Sequence, residues 1–293
     1  MEIRAYQTED AARLYQIHNR ISGNSPLTAA DFHVEILAYE HTWVGVVEGR
    51  VVGYTAVSTV PGLPHLRVLQ GFIAPAWQRQ GLGSQLLQHL IQDLKLVSSE
   101  WGVETRLQLS SCIDDTESAV YHFLRQHHFF IEHEEQFLVL PSPPYPLAPA
   151  LPQTCRLQTL SRSQAVSQFI RLYDQSFGPH PWYQPYSQEE VAAILYQPQD
   201  LLFLYYEQEP IGFVWTRMRE NGVAEIEPVG MLAQWQGRGY GRFLLQSAIH
   251  RLASRGASEI HIGTWAQNAA ALHLYRSLGF QPDYTLTYLA YDL

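Results

Sequence analysis

Apolar residues recur along this chain in two rhythms, and the order of those rhythms repeats. The stretch "RFLLQSAIHRLA" (242–253) sets Leu244, Leu245, Ile249 and Leu252 at helical spacing, the buried stripe of an amphipathic helix. "SQLLQHLIQDL" (84–94) does the same with Leu86, Leu87, Ile91 and Leu94. The strand-like runs "HTWVGVVEGRVVGYTAV" (41–57) and "LLFLYYEQEPIGFVWTRM" (201–218) each read as a hairpin, with tight turns at Glu48-Gly49 and Gln208-Glu209. Upstream, each half opens with a short strand ("EIRAY"; "CRLQTL") and a helix ("AARLYQIHNR"; "SQAVSQFIRLYDQSF"). A second helical stretch follows, near Ala29 to Tyr39 and near Gln188 to Tyr196. After the hairpin come a strand, a glycine turn and the helix above. A strand ("TRLQLSS"; "EIHIGTW"), a helix ("TESAVYHFLRQHH"; "NAAALHLYRSLG") and a final strand close each half. The pattern predicts a mixed α/β domain of the α+β kind: a mostly antiparallel mixed sheet flanked by helices, not a doubly wound βαβ sheet.

The two halves are copies. At a fixed offset of 158 residues, Trp77 and Gln78 match Trp235 and Gln236, and Gly81 and Gly83 match Gly239 and Gly241. The four apolar helix positions coincide at the same offset. Shared register of glycines and core positions marks duplication of a whole domain, at a period far too long for a solenoid. Between the copies, "PSPPYPLAPALP" (141–152) is too rich in proline for a helix or a central strand. It reads as a stiff, extended connector. The expected organisation is a domain at 1–140, a linker at 141–152 and a second domain at 153–293.

Composition narrows the function classes. A hydrophobic fraction of 46% with 16% charged residues suits packed globular structure. The net charge of −9 argues against a general nucleic-acid binder and fits a cationic or neutral substrate. Cys112 and Cys155 are the two cysteines. They make no disulfide framework, and no Cys/His spacing predicts a metal site. The polar, acidic start lacks a signal-peptide core, and the longest apolar runs are too short to span a bilayer, so a cytoplasmic protein without membrane partners is expected.

The glycine turns carry the chemistry. In "EIEPVGMLAQWQGRGYG" (225–241), strand residues lead into Gly237, Gly239 and Gly241 and then the helix. Glycine there lets backbone N–H groups approach a ligand, and the helix N-terminus favours an anion. A phosphate-loop lysine is missing from both halves, and Arg242 stands where a dinucleotide fingerprint needs its third glycine. Both halves instead fit Q-x-x-G-x-G: "QRQGLG" (78–83) and "QGRGYG" (236–241). That turn resembles the GNAT family, the Gcn5-related N-acetyltransferases. "NAAALHLYRSLGF" (268–280) resembles the family's second signature, N-x-x-A-x-x-L-Y-x-x-L-G-F, at every defined position. The resemblance spans both halves, a tandem arrangement that some members have.

It implies two tandem GNAT-like domains, acetyl-CoA as co-substrate and an amine acceptor, small-molecule or peptide. Main-chain groups of Gly230, Met231 and Leu232 would meet the pantetheine arm. Gln236, Gly237, Arg238, Gly239, Tyr240, Gly241 and Arg242 would surround the pyrophosphate. Asn268 would cap its helix, reach the arm, or do both. The amine must lose a proton before it attacks, and the departing thiolate gains from an acid. Glu225 is the first choice of base; Glu227, on the same strand face, is the alternative or a like-charge partner that raises the base's pKa. Tyr275 is the expected acid. Direct attack in a ternary complex is implied, since Cys155 has no evident base beside it. An acyl group other than acetyl, an oxygen nucleophile and the oligomeric state stay open, as does a rival reading of the tandem domains as a non-catalytic scaffold.

In the first half Glu225 becomes Arg67. Aligning Phe129 with Phe280 puts Leu124 at the place of Tyr275 and His128 at that of Gly279, although the intervening segment is seven residues longer. The first domain is expected to be catalytically degenerate. For the acceptor, "FGPHPWYQPYSQEE" (177–190) offers aromatic rings and acids that suit an ammonium.

Overall fold

The computed structural model describes residues 2–21, 39–60, 63–98, 106–109, 118–141, 153–180, 183–195 and 197–293. All but the last residue of the helical stretch expected near Ala29 to Tyr39, and all but the first residue of the proline-rich connector, lie outside the described residues. The chain divides into two compact units, one of Met1–His133 with Thr287–Leu293, the other of Glu134–Leu286.

The first unit holds β1 (Glu2–Ala5), α1 (Ala11–Ile21), β2 (Glu40–Val47), β3 (Arg50–Val60), β4 (Leu63–Ile73), α2 (Leu82–Ser98), β5 (Arg106–Leu109) and α3 (Ala119–Gln126). Strands β1 to β4 pair antiparallel in sequence order, and β4 and β5 pair parallel. The second unit holds β7 (Cys155–Gln158), α4 (Arg162–Phe177), α5 (Gln188–Ile194), β8 (Leu201–Tyr206), β9 (Glu209–Met218), β10 (Val223–Met231), α6 (Tyr240–Ser254), β11 (Glu259–Trp265) and α7 (Ala269–Ser277). Its strands repeat that scheme, β7 to β10 antiparallel and β10 beside β11 parallel. Each unit is thus the mixed, mostly antiparallel sheet that the pattern predicts.

The closing strands are exchanged. Strand β6 (Phe130–Pro141) ends the first half of the sequence, yet its Glu135–Pro141 segment pairs antiparallel with β11. Strand β12 (Gln281–Asp292) ends the second half, yet Ala290 to Asp292 pair antiparallel with β5. Each half-sequence therefore supplies the sixth strand of the other unit.

Two apolar clusters cover the two faces of the second sheet. Leu244, Leu245, Ile249 and Leu252 of α6 pack with Ala224, Ile226, Ile260, Ile262, Leu138 and Leu140. On the other face, Ala165, Phe169 and Leu172 of α4 pack with Phe203, Phe213 and Trp215. Alternation along each strand sends neighbouring residues to opposite clusters. One local difference from expectation is the second hairpin turn, which sits at Glu207-Gln208. A bulge beside Pro210, between the Leu204–Gly212 and Tyr205–Pro210 pairs, moves it back one residue.

Candidate functional site

Strand β10 is in parallel register with β11 only from Val223 to Ile226. Against β9 it then shifts by one residue between Ile226 and Val229. Pro228 lies inside that bulge, where its missing N–H leaves no ladder bond unmade. Beyond it, β10 still pairs with β9 through Val229, Gly230 and Met231, while β11 runs on to Trp265 against β6. The ends of β10 and β11 part, and a cavity of about 720 Å³ opens between them. Val229, Gly230 and Met231 line one side; Trp265, Asn268 and Tyr275 line the other. Gly230 has to be glycine: a Cβ would stand 2.4 Å from the Phe213 ring on its buried side.

The glycine turn closes one end of this cavity. The Gln236 side-chain amide donates to the Met231 carbonyl at 3.0 Å, tying the turn to the strand end. Gly237 and Gly239 have φ of 73° and 86°, a region that side chains with a Cβ disfavour. The Phe243 N–H donates to the Gly239 carbonyl as α6 begins. The earlier N–H groups of the helix have no acceptor inside it and point with its positive end to the lining of Gly237, Gly239, Gly241 and Arg242. Such a helix start suits an anion. Arg242 is steadied by a 2.6 Å bond to the Ser277 hydroxyl.

Helix α7 supplies the opposite wall. The Asn268 carboxamide oxygen accepts from the Ala271 N–H at 3.1 Å and caps the helix, and its amide donates to the Thr264 hydroxyl. Tyr275 is 4% exposed. Burial, and secondarily the charge of Glu227, raise its pKa, so the phenol stays protonated and is a donor.

The two candidate bases sit differently. Glu225 is bound by Arg219 at 2.5 Å. Glu227 has an exposed side chain, but one that stands in a recess packed round by protein. Desolvation there, then the carboxylates of Glu135 and Glu225, push its pKa up against the opposing pull of Arg217 and Arg219. Its charge is felt at Tyr275, Tyr173 and Tyr186. Tyr173 packs with Phe169, Phe177, Tyr183 and Tyr186, and the Tyr183 hydroxyl donates to Asp174 at 2.6 Å.

Of the residues singled out in the sequence, Gly230, Met231, Gln236, Gly237, Gly239, Gly241, Arg242, Asn268 and Tyr275 come together around the cavity. Glu225, Glu227, Leu232, Arg238 and Tyr240 fall outside its lining. Leu232 is in the apolar cluster under α4, with its N–H bonded to the Ile211 carbonyl. Arg238 lies over the Trp235 ring, and the Tyr240 ring meets those of Tyr206 and Trp235. Sequence reasoning missed Val229, Trp265 and Leu274 of the lining and the acid Glu135. Pro228 within a predicted strand was the one signal for a bulge.

The first unit repeats the frame without the opening. The Gln78 amide donates to the Ile73 carbonyl at 2.9 Å, as Gln236 does to Met231. Strands β3 and β4 stay in register from Gly53–Ile73 to Thr59–Arg67, with no bulge at the place of Pro228. The Phe123 ring lies 3.6 Å from where a Gly83 Cβ would be, and Leu274 takes the same place beside Gly241. His128 and Gly279 both have positive φ and both end their helices, and the Phe129 and Phe280 N–H groups bond back to Leu124 and Tyr275. Leu124 thus stands structurally where Tyr275 stands. The cavity here is about 150 Å³.

The sequence profile of the acetyltransferase (GNAT) family matches residues 11–129 and again 166–280. The chain belongs to the GNAT family. A mycothiol acetyltransferase of Amycolatopsis mediterranei is 29% identical over 95% of this chain and 93% of its own length. One of Gordonia bronchialis is 34% identical over 45% of this chain, a match that spans 47% of that relative. Among solved structures, a GCN5-related N-acetyltransferase from Sphaerobacter thermophilus covers 99% of this chain and 95% of its own, with a TM-score of 0.68 at 18% identity. A tandem GNAT protein from the clavulanic acid biosynthesis pathway covers 99% of this chain and 98% of its own, with a TM-score of 0.60 at 14% identity. Both units of the chain are GNAT folds.

Proposed function

We propose that the second unit transfers an acetyl group from acetyl-CoA to the amine of a small molecule, by direct attack in a ternary complex. The observation that carries this reading is the cavity between the parted ends of β10 and β11, with an anion-binding turn at one end and Tyr275 on its wall. The residues present fit the coenzyme. The first turn of α6 with Arg242 suits a pyrophosphate, and the strand edge at Val229 to Met231, opposite Asn268, suits an arm that carries amides. Acetyl-CoA, when bound, supplies the acyl group as a thioester.

Glu227 takes the proton of the incoming ammonium. The amine lone pair then forms the C–N bond to the acyl carbon, the C–S bond breaks, and the nitrogen gives up its second proton to solvent. Tyr275 gives its proton to the departing thiolate and regains one from solvent, as Glu227 releases its own. Support for Glu227 over Glu225 is its raised pKa and its field at Tyr275, against the ion pair that engages Glu225. Cys155, buried on β7, takes no acyl group. The first unit, with Arg67, Leu69 and Leu124 at the positions of Glu225, Glu227 and Tyr275, is non-catalytic. The names of the relatives favour a small-molecule acceptor over a protein.

The test is thiol release from acetyl-CoA over a panel of small amines, for wild type, Glu227→Gln and Tyr275→Phe. Amine-dependent release that both variants lose, with coenzyme affinity kept, is the expected result. Release that neither substitution affects would sink the assignment.

A further inference from the structure

The first unit keeps a cavity after losing the groups that acetyl transfer would use. Strand β4 pairs with β5 from Leu66 to Leu69 and stays with β3 as far as Ile73. The cavity of about 150 Å³ lies beside that strand, walled by Leu69, Ile73, Leu86, Leu87, Phe123 and Leu124. Among the described residues of its lining none is charged. The Thr55 hydroxyl, part of the same lining, donates to the Gln70 carbonyl at 3.1 Å. Leu69 and Leu124 hold the places of Glu227 and Tyr275, so carbon stands where the second unit has a carboxylate and a phenol.

Gly83, in the first turn of α2, points the same way. Its φ is not positive, and a Cβ there would meet Phe123 at 3.6 Å and Ile73 at 3.7 Å, ordinary contacts. Neither backbone nor packing requires glycine, and alanine would favour the helix more. Gly71, by contrast, has to be glycine, because a Cβ would stand 2.9 Å from the Tyr54 carbonyl. What the missing side chain of Gly83 does is leave room in the cavity. Leu69, Leu87 and Leu124 belong to an apolar cluster that holds the walls from behind. Val120, at the rim, is 52% exposed and marks the opening to solvent.

Water gains little in a carbon-walled space of this size, because it finds too few polar partners there, and an apolar molecule takes its place. A charged ligand would lose its hydration with nothing in the lining to replace it. We propose that the first unit is a binding site for a small uncharged apolar molecule of about the size of a benzene ring. The duplication has then produced two cavities of opposite character, one suited to an anion and one walled by carbon. The proposal stands apart from the acetyl-transfer reading, since it draws on no residue of the second cavity.

The experiment is calorimetric titration of benzene and of benzoate into the full chain. Benzene should bind saturably, with a Kd of about 1 mM or tighter, within what so small a ligand can supply when fully enclosed. Benzoate, the same ring with a charge, should bind at least roughly tenfold more weakly, because its carboxylate finds no partner in the lining. Gly83→Leu fills the space and should abolish benzene binding. Gly83→Ala, which the contacts at 3.6 and 3.7 Å admit without strain, should weaken it several-fold. Benzene should raise the Tm of wild type and leave that of Gly83→Leu unchanged. No saturable binding of benzene, equal binding of benzoate, or a benzene affinity unmoved by both substitutions overturns the proposal.

Discussion

Arg219 closes on the Glu225 carboxylate at 2.5 Å. Glu227, the next residue on that strand face, is left among the carboxylates of Glu135 and Glu225. The two glutamates should separate by mutation. Glu227→Gln should lower kcat by about 10²- to 10⁴-fold, the span of a general base. Glu225→Gln should cost less than about tenfold, because it removes one charge from an ion pair that is largely exposed on its arginine side. Steady-state kinetics with a fixed amine decides between them, and the reverse ranking would return the base to Glu225.

The same field sets the acid limb of the pH profile. A base works when deprotonated, so activity is kept above its pKa and lost as pH falls through it. The Glu227 pKa is raised from the ordinary 4.5, first by desolvation. Activity should therefore begin to fall at a higher pH than an exposed carboxylate would give. Glu135→Gln removes the strongest like charge and should move that limb to lower pH. A limb that stays in place in this variant would show that Glu227 is not the titrating group.

Tyr275 gives a different signature. Its hydroxyl is held protonated by burial, so it contributes no alkaline limb up to ordinary tyrosine pKa values. Tyr275→Phe keeps the ring that packs among Leu272 and Phe280, so acetyl-CoA affinity should persist while kcat falls on the order of 10²-fold. A variant with full kcat would leave the ring as core packing alone.

The helix stripes and the duplication were legible because periodicity is written residue by residue. Leu86 and Leu244 are buried where their spacing put them, and Gln78 and Gln236 make the same bond in both units. Partners of strands are not written that way. The apolar alternation of β6 states which residues face a core, not which sheet receives them, so the exchange of closing strands had no signal. Glu225 and Glu227 look equivalent by parity. What separates them is Arg219, which the reversal at Glu220 to Gly222, with Asn221 at φ 66°, brings beside Glu225. The bulge at Pro228 was hinted at by proline in a strand, but its size depends on register with β9.

Coenzyme stoichiometry should be one per chain. Gly241 meets only Leu274, at 3.7 Å, and its φ is not positive. A leucine there would fill the cavity without straining the backbone. Gly241→Leu should abolish binding of coenzyme A by calorimetry. Gly83→Leu, beside the Phe123 ring of the first unit, should leave it intact. Two sites in wild type, or loss with Gly83→Leu, would show that the first unit binds the coenzyme despite its smaller cavity.

His133 should govern part of the acid stability of the first unit. It is 8% exposed and stacked on Tyr288 with centroids 4.1 Å apart. Burial lowers its pKa from 6.5 to about 4. Above pH 6.5 neither the folded nor the unfolded chain protonates it, and its contribution is fully present. As pH falls from there to 4, the unfolded chain takes up a proton that the folded chain refuses, so stability drops with pH. The full loss is about 3 kcal/mol. His133→Phe keeps a flat ring on Tyr288 and removes the proton. Urea unfolding at pH 7 and at pH 4.5 should show wild type losing about 2–3 kcal/mol more than the variant between the two. Equal losses would mean that the folded chain protonates this residue as readily as the unfolded one, and that its burial does not resist charge.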